Sequence, residues 1–391
     1  MSTKLNTFHY QIPTNIIFGA DTIKELPNLA QRFSKKVLVL YMKDIPCVKG
    51  IINDLCEKGF LVTEFYNISP NPFTNEVEDA VGLAKKANCE LIVAIGGGSV
   101  IDTAKAVSIL MTNEGKTWDY TIEMGDERRK VINNPIPLIA VPTTAGTGAE
   151  VSQNAIITHP KTKNKGPIRS VESCPKYAII DPKLHLSMPK HLTIATGFDA
   201  FTHAFEKFLG QEYFSYIDAI SFDAMKNVVN NLEKVVSNPE DIDARGEMAW
   251  ASTQAALCVL AESYESGLHV FSLPLSGLFK VPHGEALALV MPFVIQELIK
   301  IRPDRVSKLL NVFVPEIEVF KLNEKERCTR CVKEIESWLK RLGLNRQLSD
   351  YGIAESDLEK CSFITNKPRL LAAWGRDVSN DDVQNFLRLV L

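Results

Sequence analysis

Asp199 and His203 stand four residues apart in a stretch whose apolar residues recur at helical spacing, so a helix here puts a carboxylate and an imidazole on one face. Two further imidazoles follow in Gly267-Leu-His269 and Pro282-His283-Gly284, fourteen residues apart. One carboxylate and three imidazoles can enclose a divalent iron or zinc ion and leave a position open for substrate. For any one histidine the plainer reading is a hydrogen-bonded core or surface residue, because spacing alone does not bring His269 and His283 to the helix of Asp199.

Two polar turns suggest a second kind of site. Ile95-Gly-Gly-Gly-Ser-Val-Ile-Asp102 sets three glycines between a buried-strand pattern and a helix start. Glycine lets backbone N–H groups approach an anion, and the helix N-terminus adds a favourable dipole. Ser99 is placed to cap that helix, with Asp102 three residues on resembling a capping box. The second turn, Pro142-Thr-Thr-Ala-Gly-Thr-Gly-Ala-Glu-Val-Ser152, offers hydroxyls and glycines at the end of another strand. Either turn alone reads equally as a tight strand–helix connection, and the G-x-G-x-x-G fingerprint is absent. Two such turns on neighbouring strands favour a dinucleotide pyrophosphate site.

The elements that must position these residues fall into two halves. Strands are expected at 37–41, 60–66, 91–95, 137–141 and 177–180, with helices near 51–58, 75–88 and 100–110. Continuous apolar strands alternating with helices predict a parallel sheet covered on both faces. From Pro189 the β-runs stop, and helical spacing covers 192–209, 215–236, 241–266, 284–302, 304–312 and 324–342, with breaks at Gly210, Asn238-Pro239, Pro274 and Pro282. The expected fold is an α/β dinucleotide-binding domain over 1–189 and an all-helical metal-binding domain over 190–391, packed around a shared cleft.

Composition excludes several other classes. The 391 residues carry 44 Lys plus Arg against 47 Asp plus Glu, a net charge of −3, with 45% hydrophobic and 23% charged residues. These are globular proportions, and with a pI near 6.2 and no basic block they argue against a general nucleic-acid binder. No run approaches the roughly 18 apolar residues of a membrane span, and the start lacks the apolar core of a secretory signal. The eight cysteines follow no disulfide framework, and Cys328-Thr-Arg-Cys331 lacks the second pair that a zinc knuckle needs. A reducing cytoplasm is expected.

Four motifs in order resemble the iron-containing (group III) alcohol dehydrogenases: Gly96-Gly-Gly-Ser-x-x-Asp102, Pro142-Thr-Thr-Ala-Gly-Thr-Gly-x-Glu150, Gly197-x-Asp-Ala-x-x-His-Ala-x-Glu206 and Val281-Pro-His-Gly-Glu-Ala286. The similarity runs from Phe18-Gly19 to Pro368-Arg369. It implies metal binding, and through it catalysis, by Asp199, His203, His269 and His283. It further implies cofactor contacts by Asn71, Gly97, Gly98, Ser99, Asp102, Thr143 and Thr144, with Asn154 and Lys165 near the nicotinamide and ribose. The activity implied is direct hydride transfer between NAD(P)H and a small aldehyde polarised by Fe2+ or Zn2+, in a homodimer or larger homo-oligomer.

Two departures qualify the resemblance. Family members usually carry a histidine four residues after the third metal ligand, where this chain has Leu273, which cannot relay protons or hydrogen-bond a substrate. NAD-preferring members often carry an aspartate after the first strand; here Met42 stands at the matching position with Lys43 beside it, which favours NADP(H) slightly, whereas a shift of the alignment would let Asp44 take the aspartate's role. Lys165 and Arg169, read as lying on one turn, are candidates for attracting an anionic aldehyde, against the plainer reading of a cofactor contact and a surface charge. A glycerol dehydrogenase-like or dehydroquinate synthase-like enzyme of related fold, and a non-catalytic cofactor-binding relative, are the alternatives.

Overall fold

The computed structural model describes residues 10–210, 214–260, 267–365, 367–374 and 376–391. Its strands are β1 (Asn15–Phe18), β2 (Lys36–Tyr41), β3 (Leu61–Phe65), β4 (Leu91–Gly96), β5 (Leu138–Pro142), β6 (Asn154–Thr158), β7 (Lys165–Arg169) and β8 (Tyr177–Ile180). Six of them form a parallel sheet in the order β1-β8-β5-β4-β2-β3, while β6 and β7 form a separate antiparallel hairpin. The central strands β4 and β5 are buried along their whole length, as their unbroken apolar sequences require.

Alternate residues of each strand serve opposite faces. Leu38 and Leu40 of β2 pack with helices α3 (Thr74–Lys86) and α4 (Gly98–Leu110). Val37 and Val39 of the same strand pack with α1 (Leu26–Ala30) and α2 (Val48–Glu57) on the other face. Strand order reverses between β2 and β4, the place where open α/β sheets bind ligands outside the strands' carboxyl ends. The register sets Gly96 of β4 beside Pro142 of β5, so the two polar turns leave the sheet side by side.

The helical part contains α5 (Lys190–Phe208), α6 (Ser215–Ser237), α7 (Ile242–Val259), α8 (Leu268–Phe279), α9 (His283–Ile301), α10 (Pro303–Phe313), α11 (Glu316–Val319), α12 (Glu324–Leu342), α13 (Leu358–Ile364), α14 (Lys367–Trp374) and α15 (Asn380–Arg388). Trp338 of α12 is fully buried among Phe198, Phe201 and Phe313. At the C-terminus of α5, the buried Arg305 donates to the Phe208 carbonyl and pairs with Asp218, placing cationic donors where the helix dipole is negative.

Packing divides the chain differently from a cut at residue 190. One unit comprises 11–189 with 238–260, and the other the described residues of 190–237 and 267–391. Helix α7, expected in the helical domain, therefore belongs with the sheet. Thr253 donates to Glu150 at 2.9 Å, and a Cβ on Gly148 would lie 2.0 Å from that of Ala256. The threonine turn and α7 are thus fitted together too closely to part. The expected continuation of α7 over 261–266 lies outside the described residues.

Two other differences have local causes. Pro274 was expected to break the chain, yet α8 runs through it; the proline removes one helical N–H without ending a helix that is packed against α9. Strand β1 is four residues long, and β7 contains Gly166 and Pro167, so neither carries a strong strand pattern. Cys328 and Cys331 are buried, free thiols on α12, and burial raises both above the usual thiol range.

Candidate metal centre and dinucleotide cradle

In the sheet unit the two polar turns are built against each other. A Cβ on Gly97 would stand 3.0 Å from Thr144 Oγ1, and one on Gly98 would stand 2.7 Å from Thr147 Oγ1. The Thr143 N–H donates to the Gly96 carbonyl at 3.1 Å. Helix α4 opens at Gly98 with no side chain capping it, and the missing Cβ atoms of Gly97 and Gly98 let Thr144 and Thr147 close up against its first turn. That cradle fits a dinucleotide pyrophosphate.

Ser99 does not cap α4 as expected; it lies inside the first turn, and its hydroxyl donates to the Pro70 carbonyl at 2.6 Å. This bond ties the exposed Asn71 to the glycine turn. Asp102 likewise completes no capping box. Its Oδ2 accepts from the Ile156 N–H at 3.0 Å, and Oδ1 lies 3.6 Å from the fully buried Lys105 ammonium. Burial pushes the Asp102 carboxyl up, against the pull of Lys105. Lys105 also donates to the Asn154 carbonyl at 2.7 Å, which joins Asp102 and Asn154 in one network.

Beneath the threonine turn, His185 is 1% exposed and shares a 3.1 Å hydrogen bond with the Pro142 carbonyl. Burial, helped by Arg245 and opposed by that carbonyl, pushes its pKa down to about 4. Between this value and the ordinary 6.5 the unfolded chain binds a proton that the folded chain refuses, so stability rises with pH. Acidification from pH 6.5 to 4 is expected to remove about 3 kcal/mol through this residue. Denaturant titrations across that range will measure it, and His185→Gln will flatten the dependence.

In the helical unit, Asp199 and His203 of α5 share one helix face, His269 is the second residue of α8, and His283 is the first of α9. Asp199 Oδ1 lies 3.9 Å from His203 Nδ1, 3.5 Å from His269 Nε2 and 3.6 Å from His283 Nε2. The ligand atoms of Asp199, His203 and His269 all fall within 4.8 Å of one another. Asp199 Oδ1 and His269 Nε2 are buried and have no hydrogen-bond partner among the described residues. Burial would raise the Asp199 carboxyl, but the three imidazoles outweigh it and hold it well below the usual carboxylate range. Orphaned, converging donor atoms of this kind fit a divalent ion. Side-chain exposure rises from 5% at Asp199 through 14% at His269 and 21% at His203 to 37% at His283, so the cluster opens on the His283 side.

Glu206 completes the cluster, and sequence reasoning assigned it no role. It follows Asp199 by seven residues and His203 by three, on the same face of α5. Its carboxylate, 1% exposed, accepts from the His269 N–H at 3.2 Å and from His269 Nδ1. The second bond fixes the imidazole tautomer and leaves the Nε2 lone pair facing Asp199. Glu206→Leu is expected to weaken metal binding about 10- to 100-fold, with Glu206→Gln keeping more of it. Chelator competition on the purified variants will read this directly.

The residues considered for substrate contact separate. Lys165 and Arg169 occupy the two ends of strand β7 rather than one turn, about 13 Å apart at the ordinary strand rise. Arg169 pairs across the hairpin with Asn154 and donates to its Oδ1 at 3.1 Å. Lys165 pairs with Thr158, whose N–H reaches the Pro72 carbonyl at 2.7 Å, on the side of Asn71. Burial lowers the Lys165 ammonium. Leu273 lies one turn after His269 on α8, and is 39% exposed.

Comparison with known proteins places these sites in context. Residues 13–182 match the family model of the iron-containing alcohol dehydrogenases, and residues 193–391 match that of the C-terminal domain of the Fe-containing alcohol dehydrogenase family. The chain is 30% identical over 359 residues to an NAD-dependent methanol dehydrogenase of Bacillus methanolicus, covering 90% of this chain and 91% of that one. It resembles the crystal structure of a 1,3-propanediol oxidoreductase with a TM-score of 0.91 at 27% identity, over 99% of this chain and 100% of the other. A sulfoacetaldehyde reductase from Bifidobacterium kashiwanohense, solved in complex with NAD+, gives a TM-score of 0.86 at 26% identity, over 98% and 99% of the two chains.

Proposed function

The chain belongs to the iron-containing alcohol dehydrogenase family, and from that premise we propose that it interconverts a small aldehyde and its alcohol with Fe2+ held by Asp199, His203, His269 and His283. It is a metal-dependent alcohol dehydrogenase by family; the metal, the ligand set and the substrate are our reading. The observation that carries this reading is the buried Asp199 oxygen ringed by three imidazoles within 3.9 Å. A bound divalent ion would supply Lewis-acid polarisation of a carbonyl, and a bound nicotinamide would supply or accept the hydride.

The chain's own residues perform the remaining tasks. Glu206 holds the His269 ring so that Nε2 points at Asp199. Gly97, Gly98, Thr143 and Thr144 receive the pyrophosphate, and Ser99 braces the loop that carries Asn71. Asn154 and Lys165 serve the nicotinamide and ribose side, and Asp102 is a cofactor contact joined to Asn154 through Lys105. Leu273 offers no proton-transfer atom, so a proton carrier for the alcohol would have to be a group other than this side chain.

Incubation of the purified protein with NADH or NADPH and a panel of small aldehydes tests the reading. Cofactor oxidised in a one-to-one ratio with alcohol formed supports a dehydrogenase over a synthase-like relative. Leu273 is the observation that favours the second reading, a cofactor-binding protein without turnover. Cofactor binding with full metal content and no reaction on the panel would establish that alternative.

Two finer choices follow. Met42 presents no carboxylate either to hold a ribose 2′-hydroxyl or to repel a 2′-phosphate, so NADPH is accepted with a slight preference, although several relatives are named as NAD- or NADH-dependent. Met42→Asp is expected to shift the kcat/KM ratio toward NADH by roughly tenfold, the equivalent of about 1.4 kcal/mol. For an anionic aldehyde, support reduces to Lys165 and the likeness to a sulfoacetaldehyde reductase, because Arg169 is a strand length away. Equal efficiency on a neutral aldehyde and a charged analogue would remove that substrate class. A homodimer or larger assembly in a reducing cytoplasm accompanies this reading, in keeping with eight free thiols.

A further inference from the structure

A cavity of about 230 Å³ opens in the sheet unit where the segment Arg128-Arg129-Lys130 meets the end of β7 at Arg169. Four cations and one carboxylate, Glu172, line it. Glu172 is engaged by the Ser170 hydroxyl at 2.5 Å, and Arg129 Nε stands 3.5 Å from Asp119. Among the described residues, Arg128, Lys130 and Arg169 have no carboxylate within ion-pair distance. Arg169 spends its Nε on Asn154 Oδ1, which turns the guanidinium into a fixed fork whose terminal N–H groups remain to be used. Three unneutralised cations around one concavity repel each other and are relieved by a ligand of opposite charge.

The position is not that of the dinucleotide cradle. The cradle is formed by the ends of β4 and β5, whereas this cavity lies on the other side of the Asn154–Arg169 pair, at the end of the hairpin farthest from Lys165.

We propose that this cavity is a separate anion site, taking a small molecule with two or more negative charges carried by phosphate or carboxylate groups. Two guanidinium forks suit the paired oxygens of either group, and the volume admits a molecule of several heavy atoms rather than a lone water. The proposal stands on this cavity alone and not on the dehydrogenase reading.

Calorimetry on the full chain, saturated with NADH so that the cradle is filled, tests it with inorganic pyrophosphate in one arm and citrate in the other. The expected result is one saturable site per chain in at least one arm, weakened at least tenfold in the double variant R128Q/K130Q and weakened by added salt. The arm that binds identifies the ligand chemistry. Because both side chains are exposed, the variant is expected to keep the wild-type unfolding temperature and aldehyde turnover. No saturable binding in either arm, or undiminished binding by the double variant, would each overturn the proposal.

Discussion

Asp199→Asn will leave the protein folded but without its metal, and will lower turnover by at least about a thousandfold, the equivalent of about 4 kcal/mol in the barrier. Asparagine matches aspartate in shape, so the buried site beside α8 and α9 keeps its packing. What disappears is the single carboxylate oxygen lying 3.5 to 3.9 Å from three imidazole nitrogens. A neutral amide oxygen is a far weaker ligand for a divalent ion, and its NH2 group is no ligand at all. Metal content by plasma mass spectrometry and kcat on the same preparation check both halves. A variant that retained metal and rate would remove Asp199 from the centre.

Gly284→Ala carries the second large effect, through geometry rather than chemistry. An alanine Cβ there would stand 2.3 Å from the Ala195 carbonyl oxygen and 2.7 Å from Ala195 Cα. Both are backbone atoms of α5, one turn before Asp199, so no side-chain rotation relieves the clash. Helices α5 and α9 must separate, and His283, immediately before Gly284, moves away from Asp199. Metal affinity is expected to fall at least about a hundredfold, with a loss of about 1–3 kcal/mol in stability. The sign is diagnostic: without the clash, Gly to Ala inside a helix would stabilise by up to about 1 kcal/mol. Chelator competition and thermal unfolding separate the two outcomes.

Much of the site could be read before the fold was known because its residues sit on strongly patterned elements. Asp199 and His203 lie on a long amphipathic helix, and the glycine and threonine turns follow strands so apolar that both are buried throughout. What stayed hidden depends on tertiary contact. The role of Glu206 requires knowing that α8 returns to α5, although its place seven residues after Asp199 marks it as facing the same way. Ser99 and Asp102 have the spacing of a helix cap, yet bond instead to Pro70 and Ile156, which are remote in sequence. Helix α7 looks like part of the helical run, and the close fit of Gly148 against Ala256 assigns it to the sheet unit. Lys165 and Arg169 read as one cationic turn because Gly166 and Pro167 mask a strand, and the strand holds their side chains apart.

The proposed reaction requires one divalent ion, bound by Asp199 and the three histidines. Stepwise addition of Fe2+ to chelator-stripped protein, with NADPH- and NADH-dependent aldehyde reduction measured at each step, tests it most directly. Activity is expected to be absent at the start, to rise linearly and to reach its plateau at one equivalent per chain. Full activity in the stripped protein, or a plateau unaffected by replacing Asp199, would contradict it.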